Sequence, residues 1–353
     1  MNDFAINSKK NEQKKSLYDF SIDNLPLAKN APKFRRKQLA NWLYEKAAQD
    51  FNAMTNLGAD WRQELSENYI INPFKKIESF PSADDSVRYL FTLEDGLQTE
   101  AVYMPYKSRK TVCLSSMVGC PAGCAFCATG ALGFGRNLSQ AEIVGQIMAI
   151  AFAEKIKPKE IRNVVLMGMG EALLNYDNAV SAIRLMINPD ALDMSARRIT
   201  LSTVGLPKQI KKLAKEGLPL VLAISLHAPD DLTRKEIIPT ANAHPVSEII
   251  ESLYDWQRLI NRRMTIEYVM LAGINDAEWQ AEALAMVLSK LKTVHINLIP
   301  FNSWGKSNFK SSDKHIIRKF KKVLEQNRME VSVRFSRGQD AGAACGQLAL
   351  TQS

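Results

Sequence analysis

Apolar and polar positions alternate on both sides of Asp95–Gly96 in "SVRYLFTLEDGLQTEAVYMP", and this predicts a hairpin over residues 86–105. From residue 111 short apolar runs recur: "TVCLSSM", "IRNVVLMG", "RRITLSTV", "LPLVLAISL", "RMTIEYVML" and "VHINLIP". Between them lie segments of helical period, such as "SQAEIVGQIMAIAFAEKI" and "DAEWQAEALAMVLSKL". In the first of these, Ile143, Ile147 and Ile150 mark one face, and Ser139 stands as an N-cap three residues before Glu142. Six strand–helix units predict an α/β fold with parallel strands and right-handed crossovers. The pattern does not separate an open doubly wound sheet from a partial barrel. A last strand, "MEVSVRF", precedes the tail.

The N-terminal third has a different rhythm. "APKFRRKQLANWLYEKAAQDFNAM" reads as a helix after Pro32 with Leu39, Trp42, Leu43 and Ala47 facing inward, and more helix is expected around 58–69. The expected organisation is a disordered stretch over 1–22, a small helical accessory domain over 23–85 and a hairpin connector over 86–110. A core over 111–335 and a C-terminal tail over 336–353 complete it. The opening residues carry no apolar leader, and no run is long enough to span a membrane, so the expected location is the cytoplasm.

The length of 353 residues and the 46% hydrophobic content suit one large core plus a smaller unit. Charge changes that picture a little: 46 Lys and Arg against 37 Asp and Glu leave +9, which suits a polyanionic partner without requiring one.

Cysteine placement changes it a great deal. Three of the five cysteines, Cys120, Cys124 and Cys127, share the short segment "CPAGCAFC". In a reducing compartment this spacing argues for metal binding or thiol chemistry rather than disulfides. A structural zinc normally takes four ligands, and the four histidines (His227, His244, His295 and His315) are all remote in sequence. A distant histidine or cysteine would be needed to complete such a site. A [4Fe–4S] cluster with one iron left open for a small molecule fits three cysteines better.

"CPAGCAFC" resembles the CxxxCxxC signature of the radical S-adenosylmethionine (SAM) superfamily. Along the whole chain, "CLSS", "GFGRNL", "MGMGE", "ITLSTVGLP", "ISLHAP", "HINLIPFN" and "AACGQLA" follow one another in the order of the RlmN family of dual-specificity RNA methyltransferases. Ala172 stands where that family commonly has proline, and Met117 where it usually has glutamine. The resemblance implies a partial (β/α)6 barrel with SAM and substrate meeting at the C-terminal ends of its strands. It implies a [4Fe–4S] cluster on Cys120, Cys124 and Cys127, with two SAM molecules consumed per methylation. For SAM it implies contacts from Gly170, Glu171, Ser202, Ser225, Leu226, His227 and Asn302.

The same resemblance gives roles to the two remaining cysteines, which would otherwise read as buried core thiols. Cys345 matches the cysteine that receives a methyl group, and Cys113 its resolving partner. Adenine C2 is too electron-poor to attack SAM directly. The implied route therefore places a methyl on Cys345, generates a 5′-deoxyadenosyl radical from a second SAM, and joins the Cys345 carbon to C2. Glu100, in "TEAVYMP", matches the proton acceptor, and Cys113 then releases the product through a transient disulfide.

The implied substrates are an adenosine in the peptidyl transferase region of 23S rRNA and one in the anticodon loop of tRNA. A reducing partner such as flavodoxin or ferredoxin is also implied, and a monomeric chain is expected. Lys33, Arg35, Arg36 and Lys37 are candidates either for a solvated basic face or for phosphate contacts, with Lys107, Arg109, Lys110, Arg136 and the basic residues around 306–324 as further candidates. Trp304 in "FNSWGKSNFK" suits stacking on an unpaired base or anchoring a loop. Two other functions stay open from sequence: methylation at adenine C8, and a non-enzymatic, zinc-stabilised RNA-binding module.

Overall fold

The computed structural model describes residues 14–28, 31–107, 109–239, 244–305 and 307–350. Its strands are β1 (Lys15–Ser16), β2 (Tyr69–Ile70), β3 (Phe74–Pro81), β4 (Val87–Leu93), β5 (Gln98–Tyr106), β6 (Arg109–Cys113), β7 (Met117–Gly119) and β8 (Phe134–Asn137), followed by β9 (Asn163–Leu166), β10 (Ile199–Thr203), β11 (Val221–Ser225), β12 (Met264–Met270), β13 (Val294–Pro300) and β14 (Glu330–Val333). Its helices are α1 (Arg35–Ala40), α2 (Ala59–Asn68), α3 (Ala128–Ala131), α4 (Gln140–Ala153), α5 (Tyr176–Ile187), α6 (Pro207–Lys215), α7 (Asp231–Ile237), α8 (Val246–Ile260), α9 (Glu278–Leu288) and α10 (Lys314–Gln326).

One ten-stranded sheet carries the fold, in the order β14-β13-β12-β11-β10-β9-β6-β5-β4-β3. From β6 to β14 neighbouring strands are parallel and follow chain order, whereas β3 to β6 pair antiparallel. That order resolves the ambiguity left by the sequence. Right-handed crossovers that always step the same way put every helix on one face, so the sheet winds once and curls toward a barrel. A doubly wound sheet would reverse direction part-way. The outermost strands, β14 and β3, do not pair with each other, so the barrel is partial.

The apolar runs supply the inner packing. Leu166, Leu201, Leu222, Ile224, Ile266, Ile296 and Leu298 are buried in one cluster with Ile143, Ile147, Ile150, Ile210, Leu213, Leu253 and Trp256 of the helices. Each such side chain contributes about 1.5–3 kcal/mol by leaving water. Ser139 accepts from the Glu142 backbone N–H, and the Glu142 carboxylate accepts from the Ser139 N–H at 2.8 Å, so α4 begins with the expected capping box.

The N-terminal expectations need two corrections. Residues 1–13 lie outside the described residues, but 14–22 are ordered rather than disordered. β1 pairs with β2, Leu17 and Tyr18 are buried, and the Asp19 carboxylate accepts from the Ala141 N–H at 2.9 Å. The helical unit also ends earlier than residue 85, because β3 is the edge strand of the main sheet. The connector is therefore three-stranded. The predicted hairpin is β4–β5, turning at Asp95–Gly96. Among the described residues, no helix is long and apolar enough to cross a membrane.

Candidate active site

The C-terminal ends of the parallel strands surround a cavity of about 310 Å³. All five cysteines line it, none of them in a disulfide. The loop bearing Cys120, Cys124 and Cys127 is closed at its base by β7–β8, where Cys120 N–H donates to Gly133 O at 2.8 Å. Gly119 is required there: its φ is +69°, and a Cβ would lie 1.9 Å from Gly133 O. Ala125 N–H donates to Ile237 O (2.9 Å), and the Trp304 indole N–H donates to Phe126 O (3.0 Å). Trp304 thus anchors this loop, the plainer of its two sequence readings.

Burial pushes the three loop thiols up, Cys120 to about 12, and the neighbouring thiols add to the effect at Cys120 and Cys124. Thiolates there need a cationic partner. Among the described residues no three His, Cys, Asp or Glu side chains form a group that could hold a metal ion. Ligands of a multi-iron cluster sit on separate irons and need not gather around a single ion.

Gly168 and Gly170 let the chain after β9 pass close to β6 and β7. Gly170 has φ +105°, and a Cβ there would lie 2.6 Å from Met117 Cβ. Gly170→Ala is expected to destabilise the fold by about 1–3 kcal/mol, through left-handed strain and the clash with Met117. A thermal midpoint equal to wild type would contradict this.

Beside it, the Glu171 carboxylate accepts from Val204 N–H (2.7 Å) and Leu173 N–H (3.0 Å), and burial pushes it up to about 7. A bound ammonium group would draw it back to the carboxylate form. Ser202 Oγ and Ser225 Oγ lie 3.4 Å apart on β10 and β11. His227 has φ +61°; its Nδ1 accepts from Val269 N–H at 3.0 Å, which leaves Nε2 to carry the proton. Burial lowers its pKa to about 3, with Arg234 adding to the shift. His227 is therefore a neutral donor, T-stacked on Phe126.

Three expected site residues are placed differently. Leu226 is buried and does not line the cavity. Asn302 lines it, but its amide is engaged by the tail, donating to Cys345 O (3.1 Å) and Ser336 Oγ (2.8 Å) and accepting from Gln339 (2.9 Å). Glu100 is fully buried off the cavity wall, paired with Arg88 and accepting from Leu350 N–H at 3.2 Å. Burial raises its pKa, and Arg88 opposes that shift. Arg136 is likewise engaged within the protein, bound to Asp95 and to both Glu142 oxygens.

Cys113 and Cys345 meet in the cavity. Cys345 is exposed to the cavity while protein encloses it, and burial pushes it up to about 11; Cys113 is pushed to about 12, with Cys345 adding to the rise and Arg334 opposing it in both. Two wall residues were not anticipated. Glu267, on β12, accepts from Asn297 at 2.9 Å through Oε1, while its Oε2 has no hydrogen-bond partner and lies 3.9 Å from Arg334 Nη1. The glutamate interrupting the apolar run "TIEYVML" was the available signal.

Residues 114–285 match the radical SAM superfamily, and residues 16–71 match the ribosomal RNA large subunit methyltransferase N-terminal domain. A probable dual-specificity RNA methyltransferase RlmN from Deinococcus deserti is 57% identical over 94% of this chain and 97% of its own. The chain belongs to the RlmN family of dual-specificity RNA methyltransferases. A Thermus thermophilus protein of the same description is 55% identical over 90% of this chain and 89% of its own. A crystal structure of a radical SAM methyltransferase from Sphaerobacter thermophilus superposes with a TM-score of 0.90 at 36% identity, covering 95% of this chain and 99% of that one.

As an RlmN-family radical SAM enzyme, the chain works with a [4Fe–4S] cluster and SAM. The cavity fits both groups. It offers three thiols on one loop, a glycine approach beside a buried carboxylate, and a Glu267 oxygen without a hydrogen-bond partner.

Proposed function

We propose that this enzyme methylates C2 of an adenosine in the peptidyl transferase region of 23S rRNA and of one in the anticodon loop of tRNA. The observation that carries this reading is the meeting of Cys113, at the end of β6, with Cys345, on the tail, in the cavity that holds the three-cysteine loop. An ordinary methyl transfer to a nucleophilic atom would use neither thiol; an electron-poor aromatic carbon calls for covalent help.

Cys120, Cys124 and Cys127 would hold the cluster, and Glu171 the amino group of SAM, with Gly170, Ser202, Ser225, His227 and Asn302 shaping the rest of that pocket and Leu226 packed behind its wall. Cluster and SAM together supply the methyl group and, by one-electron chemistry, the means to activate it; two SAM molecules are used per cycle. Cys345 accepts the methyl on Sγ and carries its carbon to C2, so that RNA and protein are joined for part of the cycle. Cys113 attacks Cys345 Sγ as a thiolate, the sulfur–carbon bond breaks with its electron pair going to the carbon on C2, that carbon takes up a proton to become the methyl group, and a Cys113–Cys345 disulfide remains to be reduced.

Glu100 takes the C2 proton. In the structure its carboxylate is turned to Arg88 and to the Leu350 N–H, so it serves as a base only once that N–H is withdrawn. The adenosine must be unstacked to enter. A flavodoxin or ferredoxin as electron donor, and a cytoplasmic location with its reducing thiol pool, complete the reading.

Nucleoside mass spectrometry of RNA treated with the reconstituted enzyme tests this. 2-Methyladenosine is the expected product, and 8-methyladenosine would overturn the assignment. Cys345→Ala is expected to keep its cluster and lose RNA methylation, with added methyl found on the wild-type Cys345 peptide. An alanine variant of full activity would contradict the role of this thiol.

A further inference from the structure

The segment that carries Cys345 has no secondary structure of its own to hold it. From Gly338 to Leu350 there is neither helix nor strand, only turns. Its position therefore depends on the groups that reach it from elsewhere. Ala128 N–H, next to cluster-loop residue Cys127, donates to Gly346 O at 2.8 Å, and Thr129 Oγ1 donates to Leu348 O at 2.7 Å. Asn302 holds Cys345 O, and Gln347 reaches Ser303 O at 2.9 Å. At the near end, the Asp84 carboxylate accepts from Gly338 N–H at 3.0 Å, and the Asp340 carboxylate accepts from Ala83 N–H at 2.9 Å.

The most deeply placed anchor is an ion pair. Arg88, on β4, is 1% exposed, and Glu100, diagonally across from it on β5, is wholly buried. The guanidinium donates through Nη1 to Glu100 Oε1 and through Nε to Ala341 O at 2.7 Å, with Phe80 packed 4.3 Å from its centre. The other Glu100 oxygen accepts from Leu350 N–H. The pair thus grips the segment on both sides of Cys345, at Ala341 and at Leu350. A charged pair buried in a sheet is weakly justified by stability alone, since apolar residues of similar size would do as well. What apolar residues would lack is the two directed hydrogen bonds to the tail.

We propose that the Arg88–Glu100 pair is a clasp that positions the Cys345 thiol over the cavity, with Arg88 as a positioning residue for the methyl-transfer chemistry. The proposal rests on the reading of Cys345 as the methyl-bearing thiol. Arg88 touches no reacting atom; it acts through Ala341 O and through the orientation of Glu100. Any role of Glu100 as a base comes only after RNA has been joined to the enzyme, so the loading of Cys345 without RNA isolates the clasp.

The test uses full-length, cluster-loaded enzyme. Arg88→Lys keeps a charge opposite Glu100 but loses the planar fork that serves two acceptors at once. Arg88→Gln removes the charge, and because it leaves a buried carboxylate unpaired, Arg88→Lys guards against simple loss of folding. In both variants, backbone amides of residues 341–350 are expected to exchange hydrogen roughly tenfold faster or more, while β3–β5 keep their protection. Methyl incorporation into the Cys345 peptide, from labelled SAM and reductant without RNA, should fall by about tenfold or more. In full turnover kcat should fall, with KM for RNA within about twofold of wild type. Cluster absorbance should be unchanged.

Wild-type exchange over 341–350 in both variants would overturn the clasp. So would exchange that rises evenly across β3–β5 together with a lower thermal midpoint, since the pair would then be a structural prop. Undiminished loading of Cys345 on a loosened tail would overturn the positioning role. Failure of the underlying reading is separate: RNA methylation by Cys345→Ala would remove that thiol from the chemistry and leave the exchange result untouched.

Discussion

Cys113→Ala is expected to turn a multiple-turnover enzyme into one that traps its own RNA. Cys113 is not required for a methyl to reach Cys345 or for the Cys345 carbon to be joined to C2. Its proposed task is the last one, attack on Cys345 Sγ to cut the sulfur–carbon bond. Both thiols face the cavity, and burial holds each well above the ordinary thiol range, Cys113 at about 12, so neither is a reactive thiolate at rest. With Cys113 gone, the chain offers no other thiol for the attack except those committed to the cluster. Turnover should fall on the order of a thousandfold, and up to about one equivalent of RNA should become covalently attached. Denaturing electrophoresis with labelled RNA, then ribonuclease digestion and mass spectrometry, would place the link on the Cys345 peptide. Adding Cys345→Ala should erase the adduct. Free turnover by Cys113→Ala without adduct would reduce Cys113 to a packing residue at the end of β6.

The second large effect concerns the loop. Cys120→Ala, Cys124→Ala and Cys127→Ala should each abolish reductive SAM cleavage, measured anaerobically as 5′-deoxyadenosine, by roughly a thousandfold or more. The loop holds its shape by backbone bonds, Cys120 N–H to Gly133 O and Cys127 N–H to Cys124 O (3.0 Å), which a change of side chain leaves in place. Each variant should therefore fold and lose iron rather than unfold. Undiminished cleavage by any of the three, at unchanged iron content, would contradict the ligand assignment.

Local signals in the chain reached far. The period of two around Asp95–Gly96 became β4–β5, and Ser139 with Glu142 became the capping box of α4, because both depend on residues a few positions apart. The three-cysteine spacing predicted a thiol loop for the same reason. The ordered motifs pointed to the RlmN family, to which the chain belongs.

What the chain alone left open were matters of contact between distant segments. Strand–helix alternation is the same in a singly and a doubly wound sheet; only the order β6-β9-β10-β11-β12-β13-β14 shows that the sheet curls one way. Residues 14–22 look polar enough to be loose, yet pairing of β1 with β2 and contacts to α4 order them. Arg136 reads as a free cation until Asp95 and Glu142 are seen beside it. Arg88 and Glu100 lie diagonally across β4 and β5, Arg88 opposite Val102 and Glu100 opposite Leu90, a pattern that suits a solvated ion pair on an open sheet. Burying them takes a tail more than two hundred residues further along the chain, and no local period carries that information. Residue spacing thus determined that this chain carries a three-thiol loop, and its ordered motifs determined its family. Tertiary packing alone decided where Cys345 is held and what holds it, because the segment bearing it is fixed by side chains and backbone groups from other elements rather than by a helix or strand of its own.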